Sequence, residues 1–303
     1  GLCSIFGNGS NKLMINQTHC SLCNNELVTV FSTKDYLVSG ESFDIAECSD
    51  CRLRSTSPFP EKDAIGGYYE SDEYISHADE SKGVFDSIYN MVRSYMLGRK
   101  RNIVEKSSEN KQSRIMDIGC GAGHFLNSMK ENGWDVKGVD ASQKARELVK
   151  SQFDIDVITP EDWFNSDETY DIITCWHSLE HVYDPWVYLE KIKTQLSADG
   201  VLIVASPNYE STDGNKYGAD WAAYDTPRHL YHFTPTSMEK IMFNNEFLID
   251  EIHRMPFDAF YVSILSSQHM EKSMISGIWN GFVSWLSCWV NKEKCSSLIY
   301  VMK

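Results

Sequence analysis

The sequence predicts an α/β protein: an open, mainly parallel sheet with helices on both faces, preceded by a small cysteine-rich module. Three observations carry this prediction. From residue 113 onward, short and almost continuously apolar segments alternate with segments of helical periodicity, which is typical of a parallel sheet covered on both faces. A glycine-rich turn separates the first of these strands from its helix. Four cysteines form two close pairs near the N-terminus.

Length, charge and cysteine content narrow the classes of function. A chain of 303 residues can bury a sizeable core in one large domain or two. The net charge of −15 disfavours nucleic acid as the main partner, because a protein that binds the phosphate backbone carries a basic face. Nine cysteines without a secretory leader are interpreted as reduced thiols of a cytoplasmic protein. Residues 1–18 are predicted to be a disordered or vector-derived leader, with Met14 as a candidate natural start.

The first module is predicted to be a zinc ribbon over residues 19–60. Two C-x-x-C pairs on separate turns supply four thiolates to a tetrahedral zinc ion, and the pairs here are Cys20, Cys23, Cys48 and Cys51. Residues 27–31 and 36–38 are predicted as its short strands. The alternative is that four unrelated cysteines are simply buried. The other five cysteines have no partner at ligand spacing and are interpreted as small apolar residues.

The centre of the chain carries the opening of a nucleotide-binding unit. Residues 115–118 form a short apolar segment, Gly119, Gly121 and Gly123 follow at alternate positions, and a segment of helical periodicity comes next. Glycines permit positive φ and let a ligand approach the backbone closely. The next predicted strand ends at Asp140, where an acidic residue about 20 positions beyond the first glycine accepts hydrogen bonds from ribose hydroxyls.

The order of these residues separates two kinds of cofactor. The third glycine of the dinucleotide fingerprint G-x-G-x-x-G would fall on His124. The observed D-x-G-x-G-x-G, beginning at Asp117, instead resembles motif I of class I S-adenosylmethionine (SAM) methyltransferases. The resemblance implies a Rossmann-like, seven-stranded sheet over residues 113–303, with Asp117 near the methionine end of SAM and Asp140 on the ribose. It assigns cofactor contacts around this loop to Asp117, Gly119, Cys120, Gly121, Gly123, Asp140 and Ala141.

The same resemblance gives expectations for the following turns. A third strand, predicted at 155–158, precedes a turn in which Glu161 or Asp162 would meet the adenine edge. A fourth strand, at 170–175, is followed by His177, which would face the SAM sulfonium. Residues 61–112 are predicted to be a helical linker, which in the family often forms a lid over the SAM pocket. A helix that only packs the ribbon onto the main domain is the alternative.

A long aromatic and polar insertion, residues 208–232, follows the fifth predicted strand. Long irregular segments within compact domains are usually functional. His229 and His232, with His177 as competitor and Tyr224 as a further candidate, are predicted to supply the catalytic base. Substrate contacts are predicted for Arg228, Trp221 and Tyr224. The alternative is a packed surface loop whose histidines are only hydrogen-bonded.

The C-terminal part is predicted to complete the sheet. A sixth strand is predicted at 247–252, and a closing strand at 297–302 would insert antiparallel between strands five and six, as the resemblance implies. Between them, residues 278–290 form a predicted helix with a Trp-rich apolar face. An internal packing face or a homodimer contact is the favoured interpretation of that helix, and membrane contact is the less favoured one.

The function expected from the resemblance is methyl transfer from SAM to a small-molecule acceptor. A sugar is one candidate, because a zinc ribbon before such a domain occurs in sugar methyltransferases. The His-x-x-His segment of the insertion matches their base-bearing segment only loosely. Two other classes stay open: an NAD-linked oxidoreductase, and a catalytically inactive SAM-binding protein that acts through its ribbon.

Overall fold

The computed structural model describes residues 14–69, 84–108 and 113–303, and for residues 84–90 only the backbone. Residues 70–83 and 109–112 of the predicted helical linker lie outside the described residues, as does Cys3, one of the five cysteines interpreted as small apolar residues. In chain order the strands are β1 Met14–Ile15, β2 Leu27–Lys34, β3 Ser42–Cys48, β4 Arg54–Ser57, β5 Phe59–Pro60, β6 Arg114–Ile118, β7 Asp135–Val139, β8 Val157–Ile158, β9 Tyr170–Trp176, β10 Leu196–Pro207, β11 Tyr231–His232, β12 Ile249–Met255 and β13 Ser297–Met302.

The main sheet has seven strands in the order β12-β13-β10-β9-β6-β7-β8. Strands β6 to β10 pair in parallel, whereas β13 runs antiparallel to both of its neighbours, β10 and β12. This confirms the predicted Rossmann-like class I fold, including the inserted closing strand. The connections leave β6 in opposite directions toward β7 and β9, so ligands are expected beyond the carboxyl ends of these three strands.

Helices cover both faces of this sheet. Their bounds are α1 Val84–Ser107, α2 His124–Glu131, α3 Gln143–Phe153, α4 Pro160–Phe164, α5 Pro185–Gln195, α6 Thr212–Tyr217, α7 Pro235–Asn244, α8 Asp258–His269 and α9 Met274–Val290. One face packs α1 and α2 through side chains such as Val104 and Phe125. The other packs α5 and α7 through Leu189, Ile192 and Met238. Helix α1 covers residues 84–107 of the segment 61–112 that is predicted to be a helical linker.

The ribbon forms a separate sheet in the order β11-β4-β3-β2. Its two long strands are β2 and β3, and the predicted strand at 36–38 is wrong. The Asp35 carboxylate accepts the backbone N–H groups of Leu37, Val38 and Ser39, which fixes this stretch as the turn between the strands. Strand β1 pairs with β5, so the part of the predicted leader from residue 14 onward is ordered.

Strand β11 belongs to the insertion, yet it pairs with ribbon strand β4. Tyr231 lies opposite Ser55 and His232 opposite Arg54. Thr56 adds a backbone hydrogen bond of 3.0 Å to the Leu230 carbonyl. The ribbon and the insertion are therefore parts of one continuous sheet.

The C-terminal part differs from expectation at one pair of cysteines. Cys288 and Cys295 form a disulfide, so the interpretation of both as unpaired small apolar residues is wrong. Helix α9 leaves large apolar side chains exposed, among them Ile275, Trp279 and Trp289. Among the helices that the described residues form, none combines the length and the apolar character needed to span a bilayer.

Candidate cofactor and acceptor site

The loop between β6 and α2 is shaped by its glycines. Gly119, Gly121 and Gly123 have φ values of 75°, 53° and 74°, a left-handed region that favours glycine. A Cβ on Gly119 would lie 2.5 Å from the Cβ of Ser178, and one on Gly123 would lie 2.6 Å from a Val149 methyl group. A Cβ on Gly121 would meet nothing within 4 Å among the described residues. The loop is therefore held tightly at its two ends and is open at its centre.

Two carboxylates flank this opening. Asp140 follows β7 and accepts the backbone N–H of Gly121 at 2.8 Å, while its other oxygen accepts the N–H of Ser142 at 2.8 Å. Asp117 lies one residue before the end of β6, is buried, and accepts the hydroxyl of Thr174 at 2.6 Å. Burial raises the pKa of Asp117 to about 7. The structure thus brings together the two acids that the sequence singles out.

Lys100 is a candidate that the sequence analysis missed. Helix α1 places its ammonium 4.5 Å from the centre of the Trp176 ring, on the same side of the sheet as Asp117. Burial lowers the pKa of Lys100, and the negative charges of Asp117 and Asp258 oppose that shift. Because Lys100 lies in a charged helical segment, Gly98-Arg99-Lys100-Arg101, nothing in the local pattern distinguishes it from its neighbours.

The predicted adenine-edge residues lie at the start of α4. The Thr159 hydroxyl caps this helix by accepting the N–H of Asp162 at 3.0 Å, and it donates to the Asp162 carboxylate at 2.7 Å. Glu161 is exposed on the first turn. Since Asp162 takes part in the cap, the structure favours Glu161 of the two. Ala141 is exposed next to Asp140, where its backbone borders the same opening.

His177 directly follows β9 in a left-handed conformation, with a φ of 54°. Its imidazole lies between two carboxylates, with Nε2 3.4 Å from Asp258 and Nδ1 3.5 Å from Glu180. Burial alone would lower the pKa of His177, but these two ion pairs outweigh it and raise the pKa to about 9. His177 is therefore an imidazolium at neutral pH, which disfavours it as a proton acceptor.

Glu180, His181 and His229 form a second cluster beside His177. One nitrogen of each ring and one Glu180 oxygen lie within 4.8 Å of one another. The Nδ1 atom of His229 is 2.8 Å from the Ala223 carbonyl, and Nδ1 of His181 is 3.1 Å from the Arg228 carbonyl. Burial lowers the pKa of His181 to about 4, so its ring is neutral. The sequence analysis did not single out Glu180.

His232 and Tyr224 point toward the ribbon instead of toward this cluster. Nε2 of His232 is 3.1 Å from the Thr56 hydroxyl, and burial holds the pKa of His232 well below its ordinary value. The Tyr224 hydroxyl accepts a hydrogen bond of 2.5 Å from Arg54. These contacts belong to the seam between β11 and β4, which disfavours the predicted catalytic role of both side chains; that role stays a prediction.

Arg228 and Trp221 are structural as well. The Arg228 side chain is 1% exposed and donates to Asp225 at 2.9 and 2.7 Å, to Asp35 at 2.9 Å and to the Tyr68 carbonyl at 2.8 Å. Trp221 is buried and donates to Asp213 at 2.8 Å. Both side chains are used within the protein, which disfavours their role in substrate binding; that role stays a prediction.

The four ribbon cysteines converge. The sulfurs of Cys20 and Cys51 are 3.4 Å apart, and those of Cys23 and Cys48 are 3.3 Å apart. All four lie within 4.8 Å of one another. Zn–S bonds of about 2.3 Å in a tetrahedral site bring sulfurs to similar separations, so this thiol set fits a structural zinc ion.

The fold and the glycine loop define a doubly wound α/β protein of the class that binds a nucleoside-containing ligand at its topological switch point. Comparison with known proteins identifies the family. The Methyltransferase domain family matches residues 92–252, which is more than half of the chain, and the protein belongs to that family.

Curated relatives and solved structures agree with this assignment. Ubiquinone biosynthesis O-methyltransferase of Bradyrhizobium diazoefficiens is 31% identical over 159 residues, which cover 48% of this chain and 63% of the relative. The enzyme of the same name from Actinobacillus pleuropneumoniae serotype 5b is 31% identical over 107 residues, covering 31% and 46%. The chain thus spans less than two thirds of the length of these relatives.

Among solved structures, magnesium protoporphyrin IX methyltransferase of Synechocystis PCC 6803, with bound SAH, superposes with a TM-score of 0.53. The sequence identity is 13%, and the match covers 80% of this chain and 99% of that one. This likeness supports the fold.

Proposed function

We propose that this protein transfers a methyl group from SAM to a small-molecule acceptor, with an acceptor hydroxyl as the favoured group. The observation that carries the proposal is the opening above Gly121, which lies between the Asp117 and Asp140 carboxylates. Bound SAM would supply a methyl group on a positively charged sulfur. The remaining task of the protein is to hold the reacting groups in line, which is mainly a matter of positioning.

Four side chains of the pocket match the polar groups of SAM. Asp140 offers carboxylate oxygens for the ribose hydroxyls. Asp117 offers a buried acceptor for the amino group of the methionine portion, and Lys100 offers a cation for its carboxylate. Glu161 is the favoured acceptor for the adenine amine. This complementarity supports SAM over a nicotinamide dinucleotide, as does His124 at the third fingerprint position.

The acceptor is proposed to reach the methyl group beside His229. Its Nδ1 donates to the Ala223 carbonyl, so in the neutral ring Nε2 carries a lone pair. His229 is the one predicted base of the insertion that lies in the cluster with Glu180 and His181. The printed names of the curated relatives, O-methyltransferases of ubiquinone biosynthesis, support an oxygen acceptor on a small molecule. A sugar remains one candidate.

The ribbon is proposed to hold one zinc ion in a closed structural role. The converging sulfurs of Cys20, Cys23, Cys48 and Cys51 support this. Four protein ligands leave no coordination position for water or substrate. The ion would therefore join the turn before β2 to the turn between β3 and β4 and take no part in the chemistry.

The test of the cofactor assignment is calorimetric titration with SAM. Asp140→Ala should weaken SAM binding by about 1.5–3 kcal/mol, the cost of losing hydrogen bonds to a charged acceptor, or roughly 10- to 150-fold in Kd. Asp135→Ala, which removes an exposed acid at the opposite end of β7, is the matched control and should bind SAM normally. Unchanged affinity in a folded Asp140→Ala protein would contradict the assignment.

A further inference from the structure

The Glu180 carboxylate is buried without matching donors. The residue is 0% exposed, and neither carboxylate oxygen has a hydrogen-bond partner among the described residues. The His177 ring lies beside it, with Nδ1 3.5 Å from Oε1, a distance that exceeds the usual range for a hydrogen bond. Burying a carboxylate is costly unless it is paired or coordinates a metal ion. One ion pair at this distance leaves most of its acceptor capacity unused.

The two neighbouring imidazoles, those of His181 and His229, are oriented as metal ligands would be. A carbonyl oxygen cannot donate a hydrogen bond, so the contact with the Ala223 carbonyl requires a proton on Nδ1 of His229. Nδ1 of His181 lies 3.1 Å from both the Arg228 carbonyl and the Tyr69 hydroxyl, and the tautomer that uses the carbonyl carries its proton on Nδ1. In that tautomer the neutral form of each ring has its lone pair on Nε2. Histidine ligands of metal ions typically donate the other ring N–H to a backbone carbonyl or carboxylate, which fixes the tautomer and the ring orientation. Both rings already make that contact.

We propose that Glu180, His181 and His229 bind a divalent transition-metal ion, with zinc as the favoured species, beside the methyl-transfer site. Imidazole nitrogens suit zinc and its neighbours, whereas magnesium and calcium prefer all-oxygen sites. Two histidines and one glutamate form a three-ligand set that leaves a fourth position open, as in catalytic zinc sites. The ligand atoms, now within 4.8 Å, would each move by roughly an ångström to reach bond lengths of about 2.0–2.2 Å.

This inference rests on the proposed function and deepens it. An ion at the cluster would bind the acceptor hydroxyl at its open position and lower the pKa of that hydroxyl. The O–H bond then breaks, and its proton passes to solvent water, while the oxygen keeps the electron pair. In the metal-loaded protein the lone pair of His229 would bind the ion. His229 would then act on the acceptor hydroxyl through the ion.

The test measures metal content directly, with the ribbon kept loaded with zinc. Cobalt(II) is the probe, because it binds N, O and S sites more weakly than zinc and leaves the thiolate site occupied. Wild-type protein should take up one equivalent of cobalt per chain beyond the ribbon zinc. His229→Gln and Glu180→Gln should lose that equivalent at a cobalt concentration that saturates the wild type. His253→Gln, which removes a histidine on β12 outside the cluster, should keep it.

A second measurement covers the case in which the variants fold poorly. Pulsed electron paramagnetic resonance of wild-type protein loaded with Mn²⁺ should show hyperfine coupling to histidine nitrogen. Absence of both the additional cobalt equivalent and this coupling in wild-type protein would overturn the inference, as would equal cobalt content in all variants. SAM titration of the same samples separates the two proposals: loss of SAM binding in wild type refutes the function, whereas normal SAM binding without a second metal refutes only the metal site.

Discussion

Arg228 provides the sharpest test of how the ribbon is joined to the insertion. Its guanidinium pairs with Asp225 and with Asp35, whose side chain is 0% exposed. Arg228→Met keeps an extended side chain but removes the charge, which leaves the Asp35 carboxylate buried without its cation. Removing one partner of a buried ion pair costs about 3–5 kcal/mol, because the remaining charge stays desolvated. The unfolding equilibrium should shift by roughly 10²- to 10⁴-fold.

The assay is urea unfolding of the SAM-free, zinc-loaded protein, followed by fluorescence and circular dichroism. Arg114→Met is the matched control. Its side chain is 41% exposed and pairs with Asp135 and Glu168, and exposed ion pairs contribute about 0–1 kcal/mol. Equal stabilities of the two variants would refute the reasoning. If Arg228→Met instead kept its stability but weakened acceptor binding, the sequence-based assignment of Arg228 to the substrate would be correct.

Three further predictions test other parts of the structure. Cys48→Ser should lose about one equivalent of zinc by the four-thiolate stoichiometry and melt at a lower temperature; metal analysis that finds full zinc content would contradict the ribbon assignment. His229→Ala should lower the single-turnover methyl-transfer rate by roughly 10²- to 10⁴-fold while SAM still binds, and a near-normal rate would move the chemistry to His177 or to positioning alone. Burial raises the pKa of Asp117 to about 7, so the stability that its protonated form contributes is complete below the unfolded-state value of about 4 and is lost as the pH rises through 7. Asp117→Asn should flatten that slope in urea unfolding across a pH series, and an unchanged slope would argue against the buried carboxyl.

The parts of the site that could be predicted from the sequence are those whose residues lie close together along the chain. A strand, three alternate glycines and an acid after the next strand are consecutive features, and their geometry is set by neighbouring backbone. The prediction that Asp117 and Asp140 flank one loop needed no knowledge of distant segments. The parallel part of the sheet followed for the same reason, since alternating apolar strands and helices constrain the topology strongly. The number of seven strands and the antiparallel closing strand came from the resemblance to the methyltransferase family.

The roles within the insertion could not be predicted, because distant partners decide them. Arg228 meets Asp35 from the ribbon, and His232 meets Thr56. A histidine or an arginine in a polar loop has the same local pattern whether it faces a ligand or a second module. Glu180 could not be singled out from the sequence either. Its carboxylate is buried and poorly paired only because His177 and the insertion pack around it in the folded protein.

The sheet shared by β4 and β11 bears on how this protein can be dissected. A boundary drawn at residue 60 or at residue 113 looks natural along the chain, yet cutting there would remove the strand against which β11 pairs. His229 lies two residues before β11, and its carbonyl accepts the Thr56 hydroxyl at 2.7 Å. A fragment that begins at residue 113 would therefore lack the strand that supports β11 and the backbone of His229, and chimeras that exchange catalytic domains between relatives should carry the ribbon with them.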